Sequence, residues 1–178
     1  MTDPHYQPHY CEENIWHLAR DERVKGINAD VLFISNSAKC CAMWCQKAAP
    51  SPEQPVLWDY HVILLTRGDT LEIWDFDSTL EAPVDAKTYL AETWKNLDTV
   101  PDAFQPRFRL ISSEEYLSTL SSDRSHMLVS ENSYKEDPPQ WPPIIAEGEA
   151  QNLHRLMNMD LPYIGKVVDL ETLRAEVG

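Results

Sequence analysis

Residues 56–66 (VLWDYHVILLT) and 70–77 (TLEIWDFD), rich in β-branched, aromatic and aliphatic residues, flank Arg67-Gly68-Asp69, the pattern of a β-hairpin. Alternate side chains of a strand share a face, so Leu57, Asp59, His61, Ile63 and Leu65 point one way and Val56, Trp58, Tyr60, Val62 and Leu64 the other. Both sets are largely apolar, which predicts a central strand covered on both sides. The run 31–35 (VLFIS) reads as a short buried strand with 42–47 as its neighbour, and 107–111 (RFRLI) reads as another. Helical spacing predicts helices over 11–20, where Ile15, Leu18 and Ala19 recur, and over 84–96, where Leu90 and Trp94 share a face. Residues 112–120 open with the Ser and Glu pattern of a capping box and predict a third. Proline breaks the pattern at 50–55 and again in 130–143, which read as loops. A short helix near 152–159 and a closing strand–helix segment complete the chain. The order predicts one α+β domain over 1–178, with a mostly antiparallel sheet, flanking helices, and residues 1–10 as an extended arm.

The hairpin brings chemistry with it. If the turn is Arg67-Gly68-Asp69, Thr66 pairs with Thr70, His61 lies across from Asp75, and Asp59 across from Asp77. Cross-strand neighbours have Cβ atoms about 4.5–5.5 Å apart, within reach of an imidazole–carboxylate hydrogen bond. A two-residue turn would put His61 and Asp75 on opposite faces. A carboxylate on one ring nitrogen fixes the tautomer of a histidine and stabilises its imidazolium, which is what a thiol nucleophile requires. Cys11 stands where the first helix begins, and a helix N-terminus favours thiolate and offers free N–H groups to an oxyanion. Glu12 and Glu13 partly oppose a thiolate there. Set against this, a lone histidine on a buried strand is commonly a satisfied structural residue, and aspartates at strand ends commonly cap turns.

Composition narrows the function classes. The 178 residues carry 15 basic and 29 acidic side chains, a net charge of −14. Such a surface repels a polyanionic backbone and anionic lipid, so neither nucleic acid nor membrane is an expected partner. No apolar run approaches the ~20 residues of a membrane span, and the first residues show neither the basic nor the apolar region of a secretory signal. The four cysteines, Cys11, Cys40, Cys41 and Cys45, form neither a disulfide framework nor paired zinc spacings. We therefore expect a reducing compartment, cytoplasmic or also nuclear, and a monomer. Cys40, Cys41 and Cys45 read as small core residues, and Trp44, Trp74 and Trp94 as core.

Several stretches together carry a resemblance. Cys11-Glu12-Glu13-Asn14-Ile15-Trp16, Phe33-Ile34-Ser35-Asn36, Trp58-Asp59-Tyr60-His61-Val62, Asp75-Phe76-Asp77 and Ser122-Asp123-Arg124-Ser125-His126-Met127 resemble, in order and spacing, the protein N-terminal glutamine amidohydrolase family. The resemblance covers nearly the whole chain. It implies a Cys11–His61–Asp75 triad, a three-layer α/β arrangement with a papain- or transglutaminase-like core, and no metal or organic cofactor. The implied reaction removes the side-chain amide of a protein's N-terminal glutamine through a thioester, releasing glutamate and ammonia and feeding the N-degron route. The substrate is then a protein or peptide with a free N-terminal Gln. A carboxylate is the natural reader of its α-ammonium: Asp59, Asp77 and Glu13 are the candidates, with Trp58 and Tyr60 as pocket walls and Ser125 or His126 lining the site. Arg124 is expected to pair with Asp123 or another acid. Other classes compatible with the residues are a transglutaminase-like acyl transferase, a cysteine protease, and a non-catalytic acidic interaction module.

Overall fold

The computed structural model describes residues 5–131 and 133–178. In chain order the elements are α1 (Cys11–Leu18), β1 (Asn28–Ser35), β2 (Cys41–Met43), β3 (Val56–Trp58), β4 (His61–Arg67), β5 (Leu71–Trp74) and β6 (Val84–Asp85). There follow α2 (Ala86–Thr93), β7 (Arg107–Ser112), α3 (Ser113–Thr119), β8 (Leu128–Ser130), β9 (Ser133–Tyr134), α4 (Leu153–Leu156), β10 (Lys166–Asp169) and α5 (Leu170–Val177). Six strands form one antiparallel sheet in the order β10-β7-β1-β4-β5-β6. The architecture is α+β, as the pattern predicts.

The central strands β1 and β4 are apolar on both faces because each face carries its own core. Val31, Phe33, Val62 and Leu64 pack with Ile15 and Leu18 of α1, Tyr116 of α3, and Leu153 and Leu156 of α4. On the other face Leu32, Ile34, Ile63 and Leu65 pack with Tyr89 and Leu90 of α2 and with Leu173 and Val177 of α5. Trp44, Trp74 and Trp94 are buried, and so is Cys41, while Cys40 and Cys45 are half-buried. Side chains start three of the helices: Asp85 Oδ1 accepts from Thr88 N at 2.9 Å, Ser112 Oγ from Glu115 N at 3.3 Å, and Asp169 Oδ1 from Thr172 N at 2.8 Å.

The hairpin departs from expectation in three ways. Residues 56–66 are not one strand: β3 leaves to pair with β2 in a separate two-stranded sheet, and the chain bends at Asp59, whose carbonyl accepts from Ser35 Oγ at 2.7 Å. Residues 42–47 accordingly do not flank β1, whose neighbours are β4 and β7. The register also moves. Arg67 opposes Leu71 and Thr66 opposes Glu72, not Thr70, because Arg67 stays in the strand with its guanidinium held by Asp30 of β1 at 2.9 Å. A shift of that parity preserves the faces. Pairing ends at Leu64 and Trp74, so Asp75 and Asp77 leave the ladder in a turn where Asp77 N donates to Asp75 Oδ1 at 3.0 Å.

Of the expected arm, the residues before His5 lie outside the described residues. The rest folds back on α1: Gln7 N donates to Asn14 Oδ1 at 2.9 Å, and Asn14 Nδ2 returns a bond to Gln7 O at 2.8 Å. Residues 130–143, read as loop, instead contain β9, which pairs antiparallel with β8, the strand leading into them.

Candidate active site

Cys11, the first residue of α1, comes against the start of β4. The main chain of Val62 hydrogen-bonds its sulfur, one residue beyond His61. Burial pushes the thiol well above its ordinary pKa, the charges of Glu12 and Asp77 add to this, and the Val62 bond offsets part of it. Cys11 and His61 both face a cavity of about 470 Å³, a size that holds a small side chain and the main chain behind it.

Asp75 is where the structure invests most. His61 Nε2 and Asp75 Oδ1 are 2.8 Å apart, and both side chains are fully buried. The other carboxylate oxygen accepts from Tyr89 Oη at 2.7 Å and Gln46 Nε2 at 3.3 Å. With the Asp77 main chain, four donors surround one carboxylate, so it is held ionised despite burial: burial alone would raise its pKa, but His61, Tyr89 and Gln46 bring it below the ordinary value. Burial alone would likewise lower the pKa of His61, and the Asp75 charge and hydrogen bond instead hold it above the ordinary value. Because Nε2 is spent on Asp75, Nδ1 is the nitrogen left to exchange a proton. Trp58 stacks on the imidazole with centroids 5.5 Å apart and planes 15° from parallel, and its Nε1 donates to Gln46 Oε1 at 3.2 Å. Trp58, Gln46 and Asp75 thus hold the ring from its face and its edge.

The remaining predicted residues separate into two groups. Trp58, Asp59, Tyr60, Asp77 and Ser125 all line the cavity with Cys11 and His61, as does His126. Asp77 accepts from Tyr6 Oη at 2.6 Å, which brings the arm to the cavity's edge. Asp59 is exposed at the rim and caps its own turn through Tyr60 N at 2.9 Å. Glu13 is the exception. It is fully buried, takes both arms of the Arg124 guanidinium at 2.8 Å each and Trp141 Nε1 at 2.7 Å, and lies off the cavity wall. Its charge is therefore spent within the fold, which also answers the question of Arg124's partner.

His61, Asp75 and Asp77 each offer an atom of metal-ligand type within 4.8 Å of the others. His61 and Asp75 are already bonded to each other and Asp77 to Tyr6, so a cation there would have to break the pair that orients His61. Gln46 and Tyr89 escaped the sequence reading because they reach Asp75 from 29 and 14 residues away, on elements with no local pattern pointing at it.

Comparison with known proteins gives the family. The profile of the N-terminal glutamine amidase family matches residues 6–177. The chain is 39% identical over 174 residues to the protein N-terminal glutamine amidohydrolase of Caenorhabditis briggsae, covering 94% of this chain and 91% of that one. It is 38% identical over 168 residues to the protein of the same name from Homo sapiens, covering 90% of this chain and 80% of that one. With nearly the full length matched at this identity, the chain belongs to the N-terminal glutamine amidase family.

Proposed function

We propose that this chain removes the side-chain amide of an N-terminal glutamine by thiol chemistry. The observation that carries the reading is the buried His61–Asp75 pair at 2.8 Å, opening onto the same cavity as a sulfur that sits on the Val62 main chain. A helix-borne thiol facing a strand-borne imidazole is the arrangement of papain- and transglutaminase-like hydrolases, and we read this core as one of them.

His61 takes the Cys11 proton at Nδ1 while Nε2 stays on Asp75. The thiolate attacks the glutamine side-chain carbonyl, and the oxyanion forms at the positive end of α1. The imidazolium gives its proton to the departing nitrogen, which leaves as ammonia, and a thioester remains. His61 then draws a proton from water, whose oxygen attacks the thioester, and returns it to the sulfur as glutamate leaves. Selectivity for a chain terminus requires an anion for the α-ammonium. Asp77 supports this role best, since it stands on the cavity wall beside the catalytic pair with one oxygen fixed by Tyr6. Asp59 at the rim is a second anion on the approach. The acidic surface (net charge −14) favours a cationic terminus over nucleic acid or anionic lipid. We place the activity in the cytoplasm and nucleus, in a monomer, upstream of N-degron recognition.

The test measures ammonia released from peptides beginning Gln or Asn and from a Gln peptide with an acetylated amine. Release is expected from the free Gln peptide alone, to be abolished by Cys11→Ala and retained in Cys40→Ala. Equal release from the acetylated peptide would replace the reading with an acyl transferase acting on internal glutamine, and chain cleavage would replace it with a protease.

A further inference from the structure

Behind the nucleophile lies a second acid that the triad does not use. Glu12 is fully buried, and its Oε2 is 3.9 Å from Cys11 Sγ. The same oxygen accepts from Tyr60 Oη at 3.0 Å. The other oxygen, Oε1, is buried without a hydrogen-bond partner and faces His126 Nε2 at 3.7 Å. His126 Nε2 in turn is 3.4 Å from the Tyr60 hydroxyl, and its Nδ1 is also buried and unpartnered. A buried carboxylate with an unmet oxygen is costly in a fold that elsewhere gives Asp75 four donors. The cost is smaller if the acid carries a proton, because a neutral acid is cheaper to bury and can still accept from Tyr60.

The other titratable groups around this acid are known. Cys11 and Glu13 share its helix, Tyr10 stands just before that helix, His61 of β4 and Tyr60 in the bend before β4 face it, and Tyr116 of α3 donates to its main-chain carbonyl at 2.8 Å. Arg124 is spent on Glu13, and His126 itself faces Asp59, Asp123 and Lys135. No cation among these neutralises Glu12. Its charge weighs first among all charges on the sulfur, but on the imidazole it ranks behind Asp75 and Asp77.

We propose that Glu12, with Tyr60 and His126, is a positioning network that decides when Cys11 ionises. While Glu12 holds a proton the sulfur can give its own to His61. Once Glu12 loses it, a bare carboxylate 3.9 Å away keeps the proton on the thiol. The proton moves between Glu12 and solvent along His126, whose side chain is a quarter exposed and lines the cavity. Burial and the neighbouring Glu13 raise Glu12 from the usual 4.5 to about 7, with its own main chain, the Tyr60 bond and the Cys11 thiol opposing them, so the switch falls at neutral pH.

This inference rests on Cys11 being the nucleophile, and its test needs no substrate. The rate of Cys11 alkylation by iodoacetamide, followed on the Cys11 peptide by mass spectrometry, is measured from pH 5.5 to pH 9 in wild type, Glu12→Gln and Tyr60→Phe. Glu12→Gln keeps the acceptor for Tyr60 and removes the charge. It is expected to react roughly tenfold faster than wild type at pH 8, the change that one unit in thiol pKa produces, and to lose the neutral inflection. Tyr60→Phe, which removes a bond that favours the ionised acid, is expected to move that inflection to higher pH and leave it in place. Profiles of Glu12→Gln and wild type that superpose would overturn the network's role. So would a Glu12→Gln rate changed by one factor at every pH, since that is the mark of packing alone. Ammonia release persisting in Cys11→Ala would instead end the nucleophile reading.

Discussion

At the scale of single residues, the two carboxylates nearest the chemistry have opposite surroundings. Asp75 has four donors and stays ionised, whereas Glu12 has one firm donor and an orphan oxygen. Burial therefore acts on the two with opposite outcomes: the pKa of Asp75 is brought below its ordinary value and that of Glu12 is raised to about 7. Asp75→Asn tests the first half. The amide can take the place of the carboxylate but offers His61 either the wrong tautomer or a lost bond, so kcat is expected to fall roughly 10³–10⁴-fold. The substrate KM should stay close to wild type, since Asp75 is buried away from the cavity wall; steady-state ammonia kinetics measure both. The placement of Cys11 and His61 was legible in sequence because helix start and strand parity each make a local statement about them, whereas Asp75 reaches His61 from beyond the end of the ladder and not from the paired position that the expected turn gave it. Glu13 was not, because its fate depends on Arg124 over a hundred residues away, and nothing local separates an acid that reads substrate from one that bonds within the fold.

At the scale of elements, the hairpin shows how much a pattern conveys and where it stops. Period-two alternation gives the faces of 61–67 and 71–74 correctly, and a register error of even parity leaves them unchanged. It could not show that the strand begins at His61, because the break at Asp59 comes from Ser35 and from β3 joining β2, both tertiary events. The break matters. It frees Trp58 to turn onto the His61 ring, which two alternating residues of one strand could not do from opposite faces. The approach to β10 gives a sharper test. Gly165 has φ +72°, and a Cβ there would lie 2.2 Å from the Leu110 carbonyl oxygen of β7. Gly165→Ala combines backbone strain with a clash against main chain that cannot move aside. It is expected to destabilise the fold by about 2–4 kcal/mol in chemical denaturation, with the loss falling on the β7–β10 edge in hydrogen exchange.

At the scale of the whole molecule, the buried ionisable groups shape how stability responds to acidity. Glu12 binds its proton more tightly folded than unfolded, so stability falls as pH rises from 4.5 to about 7, by roughly 3 kcal/mol for a shift of that size. Asp75 has the opposite sign: its folded pKa is lowered, so its contribution is present above the ordinary aspartate value near ~3.9 and lost as pH falls below it. His61, raised by Asp75, contributes fully below ~6.5 and loses that contribution as pH climbs through its folded value. The melting temperature is therefore expected to peak in mildly acidic solution, and Glu12→Gln to flatten the decline toward neutrality. Calorimetry at half-unit steps of pH measures both, and an unchanged slope in the variant would contradict the assignment of that slope to Glu12. The chain's length and two-faced strands made the layered α+β architecture legible, while the pairing of buried charges had to await the fold.

Arg109 gives the molecule a property that neither core supplies. Its guanidinium, almost wholly buried in β7, donates to the carbonyls of Leu156, Asn158, Leu161 and Ile164 at 2.6–3.0 Å. The segment so tethered begins with the turn of helix whose Leu153, His154 and Met157 form one side of the cavity. The aperture that admits a peptide's first side chain is thus riveted to the middle of the sheet through a single planar cation. A shorter, non-planar lysine in that place could not reach all four carbonyls and would loosen this side of the doorway without touching the lock.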